Sequence, residues 1–499
     1  MTALASPAIE FRGFGLAHRR PDGEEALLAG VDLTLPAHGF YLFAGRSGGG
    51  KSSLLRILAG LVEPREPAPI MAGELLVCGE SVTDGDQRRP GTVAAILQDE
   101  GLLDELSPRG NVELALRAAD RPRTLAPGLL ALAGIDDPPP RTAQLSGGMK
   151  KRLAVARALA FSPKLLLCDE PTAGLDREAS RRIAQLLRDT HDQDPARTTI
   201  VITHDLAAFR DLADGVLVLE SRSLRLAAPD ASPAVVDVAS SATSIAAEPA
   251  VVHGLRRLLL RAASVCESVW ESLRRLPPVE LGNVARTTAR FVLEPALFVA
   301  AAGAVVGGLA TFFALRNNPV QGGFESALLM GTGKVATAVL VPLLSGFFFT
   351  ARIGAGATAR LGTMKRTNQI AALQMMGIRP ADFLLTPLVW GMVLAMPVVT
   401  FVGVVAAALA ACVAAAAVSG ITTAGWAAAW FATVHASDIL VVLAKSTLSG
   451  YLVALCCYHV GTGPKRSGAE VGEAVDTVIV VGLMLVLATH AGLTLAAYG

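Results

Sequence analysis

The chain has 499 residues, of which 52% are hydrophobic and 17% charged, and its mean hydropathy is +0.48. These values argue against a purely water-soluble protein, and a net charge of +1 argues against nucleic-acid binding, which usually needs a strong basic excess. Six scattered cysteines argue against a disulfide framework or a Cys-rich metal site. Residues 1–290 carry 70 of the 87 charged side chains, whereas 291–499 carry 17, so we expect a soluble part followed by a membrane-embedded part.

The first 225 residues alternate short aliphatic runs with helical patterns, which predicts an α/β domain. Residues 226–253 are rich in Ala, Ser and Pro and are interpreted as a linker. Residues 254–290 begin with an amphipathic pattern interleaved with arginines, which indicates either a helix in the membrane interface, as we favour, or a helix packed on a domain. The N-terminus lacks a basic region followed by an apolar run, so the soluble domain is expected in the cytoplasm. The predicted strands are Phe40–Ala44, Val93–Leu97, Lys164–Cys168 and Thr199–Thr203.

Residues 291–499 contain five apolar stretches long enough to cross a bilayer, and the third is long enough to be tilted, kinked or split into two. The loop after the second stretch carries five basic residues, and the loop after the fourth carries Lys465 and Arg466. The positive-inside rule puts these loops in the cytoplasm and the C-terminus outside, in the periplasm of a bacterium. The stretches lie near 291–315, 328–351, 384–418, 437–460 and 474–498.

A phosphate-binding loop is indicated by Gly45-Arg-Ser-Gly-Gly-Gly-Lys51-Ser52, which follows a predicted strand and precedes a helical run. Glycines let backbone N–H groups face phosphates, while Lys51 is expected at the β/γ-phosphates and Ser52 at Mg²⁺. The alternative is a chance Gly-rich turn. Downstream, an apolar strand ends in Asp169-Glu170, which suits a Mg²⁺-organising carboxylate followed by one that orients water. Between them, Leu145–Met149 offers N–H groups to a phosphate at a helix N-terminus.

Taken together, these motifs resemble those of ABC ATPases, with Gln98, Gly174-Leu175-Asp176 and His204 completing the set in order. The resemblance implies that Glu170 is the general base, that His204 contacts the γ-phosphate and that Gln98 links Mg²⁺ to the permease. It also implies a dimer with ATP sandwiched between copies. Two departures are Met149, where Gln is usual, and His18 in place of an adenine-stacking aromatic residue. The implied Mg²⁺ residues are Ser52, Gln98 and Asp169; the implied ATP-binding residues are Gly45, Ser47, Gly48, Gly50, Lys51, Ser52, Ser53 and His18, with Ser146, Gly147 and Gly148 of the other copy.

Residues 351–380 combine small residues, suited to close helix packing, with a basic amphipathic piece at Met364–Met376. The composition of this segment is also that of an ordinary cytoplasmic loop, in which basic residues are common under the positive-inside rule. The sequence of this segment resembles that of the MlaE/YrbE permeases, the membrane subunits of MCE-type (mammalian cell entry) lipid transporters. The resemblance extends over about residues 255–499. The resemblance implies that Thr367–Met376 is a coupling helix docking on the ATPase, through Thr367, Gln369, Ile370, Leu373 and Met376.

Lys445 lies deep in the fourth stretch, seven residues after Asp438 on the same helix face. A charge at that depth costs roughly 2.5–3.5 kcal/mol on insertion scales, so it needs a reason. One explanation is structural: the lysine snorkels to the interface or forms an internal salt bridge. The other is functional: the lysine faces a cavity that receives a lipid headgroup. The family resemblance favours the cavity. The chain departs from relatives in the apolar run Ala338–Pro342 and in His490, where an acid is frequent.

We therefore expect an α/β ABC ATPase domain (1–225), a linker (226–253), an interfacial helix region (254–290) and an all-α permease with about five spans (291–499). The leading hypothesis is a homodimeric, ATP- and Mg²⁺-dependent lipid transporter of the bacterial inner membrane. It would work with a periplasmic MCE-domain protein and a small STAS-type cytoplasmic subunit, and no nucleic acid. The alternatives are an exporter of small hydrophobic molecules and a signalling complex that moves no substrate.

Overall fold

The computed structural model describes residues 7–20, 23–46, 48–61, 69–82, 91–228, 281–317, 324–465 and 467–498. The predicted linker, beyond its first three residues, and the amphipathic pattern of 254–280 lie outside these ranges. The chain forms two compact units. The first consists of residues 1–248 together with 367–379, and the second of residues 249–366 together with 380–499.

The first unit is built on a six-stranded sheet in the order β10-β9-β3-β8-β7-β6. Its central strands β3, β7 and β8 are parallel and almost entirely buried, which explains their continuous aliphatic sequences. A second, antiparallel sheet has the order β2-β1-β4-β5. The strands are β1 Ile9–Arg20, β2 Gly23–Leu35, β3 Phe40–Gly45, β4 Ile70–Val77, β5 Glu80–Ser81, β6 Val93–Ile96, β7 Leu165–Asp169, β8 Thr198–Ile202, β9 Gly215–Glu220 and β10 Ser223–Ala227.

Helices connect these strands, so the predicted α/β class is confirmed, and the four predicted strands are present with ends shifted by at most one residue. Some of these helices have N-caps whose side chains accept a hydrogen bond from the first turn. Ser146 accepts a hydrogen bond from the N–H of Met149, and Asp176 accepts one from the N–H of Ala179. The helices are α1 Lys51–Leu58, α2 Pro108–Ala118, α3 Ala126–Leu132, α4 Gly147–Leu159, α5 Arg177–Asp192 and α6 Leu206–Phe209.

The segment 367–379 belongs to the first unit although it lies between two long apolar helices in the sequence. Asn368 adopts a left-handed conformation (φ 57°), which ends the preceding helix at Arg366 and starts a new one. The short helix Gln369–Met375 then ends before Gly377 (φ 70°). Ala371 and Met375 pack against the hydrophobic core of the first unit.

The described residues of the second unit contain five helices long and apolar enough to cross a membrane, which confirms the expected number. The third is one helix despite Pro397, so the alternative of two segments is wrong. Span 2 contains two π-helical stretches, Ala336–Leu340 and Thr350–Gly354. A short helix, Thr423–Thr433, precedes span 4. The spans are span 1 Gly282–Arg316, span 2 Glu325–Arg366, span 3 Ala381–Ser419, span 4 Ala436–Gly461 and span 5 Gly468–Tyr498.

Spans 1 and 3 pack with their backbones in direct contact. A Cβ atom on Gly303 would collide with the carbonyl oxygen of Gly403, and one on Gly307 would collide with that of Ala407. Glycines one helical turn apart therefore allow the close approach, as in other membrane helix pairs. Span 3 also contacts span 4, which connects this pair to the rest of the unit.

We expect Gly307→Ala to lower the melting temperature of the detergent-purified protein, because a backbone carbonyl cannot move aside as a flexible side chain can. Overpacking of this kind costs about 1–3 kcal/mol. Gly472→Ala is the matched control: this glycine is also inside a membrane helix, but an added Cβ meets nothing within 4 Å. If both variants melt at the same temperature, the close contact is not what stabilises the pair.

Candidate functional site

The glycine-rich loop between β3 and α1 forms a pocket of the first unit. Gly48 and Gly50 both have positive φ values (75° and 100°), which lets the loop turn sharply before α1 begins. Lys51, only 7% exposed, folds back so that its ammonium donates to the carbonyl oxygens of Gly45 (2.8 Å) and Arg46 (2.9 Å). Gly48, Gly50, Lys51, Ser52 and Ser53 line the pocket.

Two carboxylates reach this loop from the end of β7. Asp169 is the last residue of the strand, and its Oδ1 accepts a hydrogen bond from the Ser52 hydroxyl at 3.3 Å. Glu170 follows, and its Oε2 accepts from the backbone N–H of His204 at 3.3 Å. The His204 ring lies 3.4 Å from Oε1 of the same carboxylate. Because β7 and β8 are parallel neighbours, their carboxyl ends bring Asp169, Glu170 and His204 to one edge of the sheet.

Burial sets the electrostatics of these groups. It raises the pKa of Asp169, an effect that the Ser52 hydrogen bond and the nearby cations oppose. It also raises the pKa of Glu170, although the adjacent His204 counteracts this. Burial lowers the pKa of Lys51, while Glu170 and Asp169 favour its charged form. A cation and two carboxylates therefore share a partly desolvated pocket, which suits the binding of a phosphate with a divalent cation.

Other residues predicted for this site make no hydrogen bond to it within the described part of the chain. Ser146 and Gly147 are exposed at the start of α4, and the only hydrogen bond recorded for the Ser146 hydroxyl is to Met149. The Gln98 side chain is exposed and has no recorded hydrogen bond to a described residue. Gly148 lies beside Leu175, so the signature and D-loop segments are neighbours. Ser47 lies outside the described residues.

Strand β2 contributes to the pocket, which sequence reasoning missed. Glu25 and Leu27 line it, and Leu27 lies close enough to Gly50 that an added Cβ there would be 3.0 Å from Cδ1. His18 pairs with Glu25 in the β1–β2 register, which puts the predicted adenine-stacking position next to a pocket residue. No local motif marks β2, because its approach to the loop depends on how the antiparallel sheet folds over β3.

Two buried cations of α4 hold the loop that follows Gln98. The Lys151 ammonium donates to the Gln98 carbonyl oxygen at 2.7 Å and lies 2.9 Å from the Glu100 carboxylate. The Arg157 guanidinium donates to the carbonyl oxygens of Gly101 (2.5 Å) and Glu100 (2.7 Å). Burial lowers the pKa of Arg157 to about 10, so it remains a cation at neutral pH. The loop is thus tied to the helix that begins at the signature motif.

The same loop contacts the predicted coupling helix. The Gln369 amide donates to Asp104 Oδ2 at 3.1 Å. Gly101 has a positive φ (61°), and a Cβ on it would lie 2.8 Å from the Asn368 carbonyl oxygen and 2.9 Å from the Ala372 Cβ. Arg56 of α1 also donates to the Asn368 side chain at 3.2 Å. The predicted coupling residues Gln369, Ile370, Leu373 and Met376 are all buried, and Thr367 belongs to the same unit.

In the second unit, Lys445 is fully buried and does not pair with Asp438. Its ammonium donates to the Ala338 carbonyl oxygen at 3.1 Å and to the Thr494 hydroxyl at 2.6 Å. No described carboxylate lies within 4 Å of this ammonium. His490, one turn before Thr494, is 4% exposed, and neither ring nitrogen has a hydrogen-bond partner among the described residues.

Asp438 pairs instead with Lys334, which the sequence analysis did not single out. The Lys334 ammonium lies 2.6 Å from both carboxylate oxygens, and the Tyr498 hydroxyl donates to Oδ1 at 2.6 Å. The N–H of His435 donates to Oδ2 at 2.8 Å. The internal salt bridge considered for Lys445 thus exists in this unit, but its cation is Lys334.

Comparisons with known proteins divide the chain in the same order. The family model described as ABC transporter matches residues 28–173, and the model described as Permease MlaE matches residues 286–496. The aliphatic sulfonates import ATP-binding protein SsuB of Rhodopseudomonas palustris (strain BisA53) is 40% identical over 207 residues, which cover 40% of this chain and 68% of that protein. The methionine import ATP-binding protein MetN of the same strain is 36% identical, with 44% of this chain and 61% of that protein covered. A dimeric bacterial ABC transporter cassette of known structure is 28% identical, covers 44% of this chain and 98% of its own, and has a TM-score of 0.40.

We expect Glu170→Gln to retain ATP binding while hydrolysis falls by orders of magnitude, because the amide keeps the shape of the side chain but cannot take a proton from water. Nucleotide affinity and phosphate release are measured on the same preparation. In the parent protein, the raised pKa of Glu170 predicts that hydrolysis declines as the pH falls through that value, since the protonated acid is not a base. Near-normal phosphate release by Glu170→Gln would refute the role.

Proposed function

The chain belongs to the ABC transporters, as an ABC ATPase fused to an MlaE-type permease, and we propose that the substrate it moves with ATP is a lipid. It is an ATP-hydrolysing transporter and a multi-pass membrane protein. The lipid proposal is carried by the match of residues 286–496 to the MlaE permease model. SsuB and MetN resemble only the ATPase part, so their sulfonate and methionine substrates do not define the substrate here.

In the proposed mechanism, the phosphate loop binds the triphosphate through Lys51 and its backbone N–H groups. Ser52 and Asp169, with oxygens 3.3 Å apart, fit the hard oxygen ligands that Mg²⁺ prefers, and Gln98 is the third proposed ligand. Mg²⁺ supplies neutralisation of the charge on the phosphates. Glu170 orients and deprotonates the attacking water, and His204 contacts the γ-phosphate.

We further propose that two copies of the chain form the working unit. Ser146 and Gly147, at the N-terminus of α4, are exposed and make no hydrogen bond to the described residues of the phosphate loop in their own copy. A second copy would supply these N–H groups to the nucleotide, at a helix end suited to anions. His18, at the strand position next to Glu25, is the proposed contact to adenine.

Coupling is proposed to run through the loop 98–104. Lys151 and Arg157 tie this loop to the signature helix, and Asp104 with Gly101 ties it to the helix Gln369–Met375. A movement of α4 on nucleotide binding would therefore be passed to a segment covalently continuous with spans 2 and 3. Thr367, Ile370, Leu373 and Met376 complete the proposed coupling surface.

On the membrane side, Lys445 is the proposed contact to the lipid headgroup. Its charge has no carboxylate counter-ion within 4 Å among the described residues, so an anionic group would stabilise it. We place the protein, as a proposal, in the bacterial inner membrane with the ATPase in the cytoplasm and the C-terminus in the periplasm. A periplasmic MCE-domain protein is the proposed lipid-exchange partner, and a STAS-type subunit a cytoplasmic one.

Lipid analysis of the detergent-purified chain tests the proposed substrate. We expect co-purified anionic phospholipid, reduced in Lys445→Ala because the buried ammonium is lost. Lys465→Ala is the matched control, since this lysine bonds carbonyl oxygens of its own loop. The proposed substrate is wrong if the parent retains no phospholipid, or if ATPase activity in lipid vesicles responds to a small hydrophobic compound and not to phospholipid. Equal lipid in the parent, Lys465→Ala and Lys445→Ala would refute the role of Lys445.

For coupling, we expect Gln369→Ala to abolish the lipid-stimulated part of ATP hydrolysis while nucleotide affinity is kept. The lost hydrogen bond to Asp104 is worth roughly 1.5–3 kcal/mol because the acceptor is charged. Asp104→Ala should have the same effect, and the double variant should be no worse than either single one. Gln374→Ala, on the same helix but without a recorded side-chain bond, is the control. Additive losses in the double variant would contradict the role of this pair.

A further inference from the structure

Three side chains join the ends of spans 2, 4 and 5, and we refer to Lys334, Asp438 and Tyr498 as the latch. Lys334 lies near the start of span 2, Asp438 near the start of span 4, and Tyr498 at the end of span 5. Asp438 is the centre, since its side chain is 4% exposed and accepts from both other members at 2.6 Å. A buried carboxylate with these partners is fully compensated, so the three span ends are held together by charge-assisted bonds.

The Tyr498 ring contacts two ammonium groups. Its centroid is 5.1 Å from the Lys334 ammonium and 5.7 Å from the Lys445 ammonium. Lys334 is one-third exposed and Lys445 is fully buried, while Tyr498 itself is 43% exposed. One aromatic side chain therefore contacts both a partly exposed cation and a buried one.

The buried polar groups near Tyr498, those of Lys445 and His490, do not have all their hydrogen bonds satisfied by the described residues. Lys445 uses two of its three N–H donors, on Ala338 and Thr494. One turn before Thr494 in span 5, His490 is buried with both ring nitrogens lacking a hydrogen-bond partner among the described residues. A cation without a nearby carboxylate and an unpartnered imidazole both indicate a site for an anionic, hydrogen-bonding group.

We propose that Lys334 and Lys445 are two successive binding positions for the anionic headgroup of the transported lipid, and that Tyr498, held by Asp438, closes the passage between them. The lipid identity of the ligand rests on the function proposed above; the anion passage rests on the latch. An anion at Lys334 competes with Asp438 for the ammonium, and this loosens the carboxylate that holds Tyr498. The ring then moves aside, and the headgroup exchanges between the buried and the exposed lysine.

Thiol labelling next to Lys445 tests this passage. Thr494→Cys is introduced into a full chain whose six native cysteines are replaced, in nanodiscs of zwitterionic lipid. Two methanethiosulfonates of similar size are compared, one carrying a sulfonate and one a trimethylammonium group. We expect the cysteine of this parent to be labelled slowly. In Tyr498→Ala, labelling by the sulfonate reagent should be at least tenfold faster. Tyr498→Phe should show an intermediate rate, because it keeps the ring but loses the hydrogen bond to Asp438.

The ratio of labelling by the anionic and the cationic reagent distinguishes a passage selective for anions from a non-selective opening. Adding Lys334→Gln to Tyr498→Ala should lower the ratio of sulfonate to trimethylammonium labelling at least threefold. Tyr451→Phe and Asp476→Asn, an exposed acid of span 5, are the matched controls and should label like the parent. Only variants that melt at the parent's temperature are compared. Labelling of Tyr498→Ala at the parent rate, or a ratio that does not respond to Lys334→Gln, overturns the proposal.

Protection of the same cysteine identifies the source of the anion. In Tyr498→Phe we expect short-chain phosphatidylglycerol to slow labelling, and short-chain phosphatidylcholine and inorganic phosphate not to. Equal protection by inorganic phosphate would overturn the assignment to a lipid headgroup. Labelling itself requires no transport, so a chain that labels as expected but retains no lipid refutes the proposed function alone. A chain that retains lipid with unchanged labelling in Tyr498→Ala refutes the latch alone.

Discussion

The loop from Gln98 to Asp104 is held by two buried cations of α4, and it in turn contacts the helix Gln369–Met375. Lys151 and Arg157 together donate to three backbone carbonyl groups of this loop, those of Gln98, Glu100 and Gly101. Such carbonyl groups cost about 1–3 kcal/mol each if they are buried without a donor, so these bonds stabilise the loop in this conformation. The fixed loop in turn presents Gly101 and Asp104 to the helix Gln369–Met375.

A second constraint acts in the membrane unit, where each buried charge must be compensated without water. Among the described residues, Asp438 is compensated by a lysine, a tyrosine and a backbone N–H, whereas Lys445 is compensated only by neutral oxygens and an aromatic ring. The difference separates a structural charge from one available to a ligand. The π-helical stretch Ala336–Leu340 lies at this point of span 2, and the Ala338 carbonyl oxygen accepts from Lys445. The irregular backbone thus contributes a polar group where an all-apolar sequence has none.

Local signals explain what could be predicted from the sequence. The phosphate loop, the strand ending in Asp169-Glu170 and the five apolar spans are each contained in a short stretch, and the structure has them where they were expected. Contacts between distant segments were missed. Lys334 and Asp438 are 104 residues apart on different spans, so the sequence offered only Asp438 and Lys445, which share a helix. Leu27 likewise reaches the phosphate loop through the folding of two sheets, and Arg157 reads as an ordinary helical residue until its carbonyl partners are known.

The first unit is discontinuous, and this affects how the protein is made. Its hydrophobic core includes contacts to Ala371 and Met375, which are synthesised after span 2. During translation, the α/β part emerges more than a hundred residues before the helix that completes it, so its surface around Gly101 stays uncovered until span 2 has been made. Completion of the ATPase is therefore linked to synthesis of the permease in the same chain. A fragment that ends before the spans would lack part of its own core, whereas a two-gene arrangement would leave the pairing of the parts to diffusion.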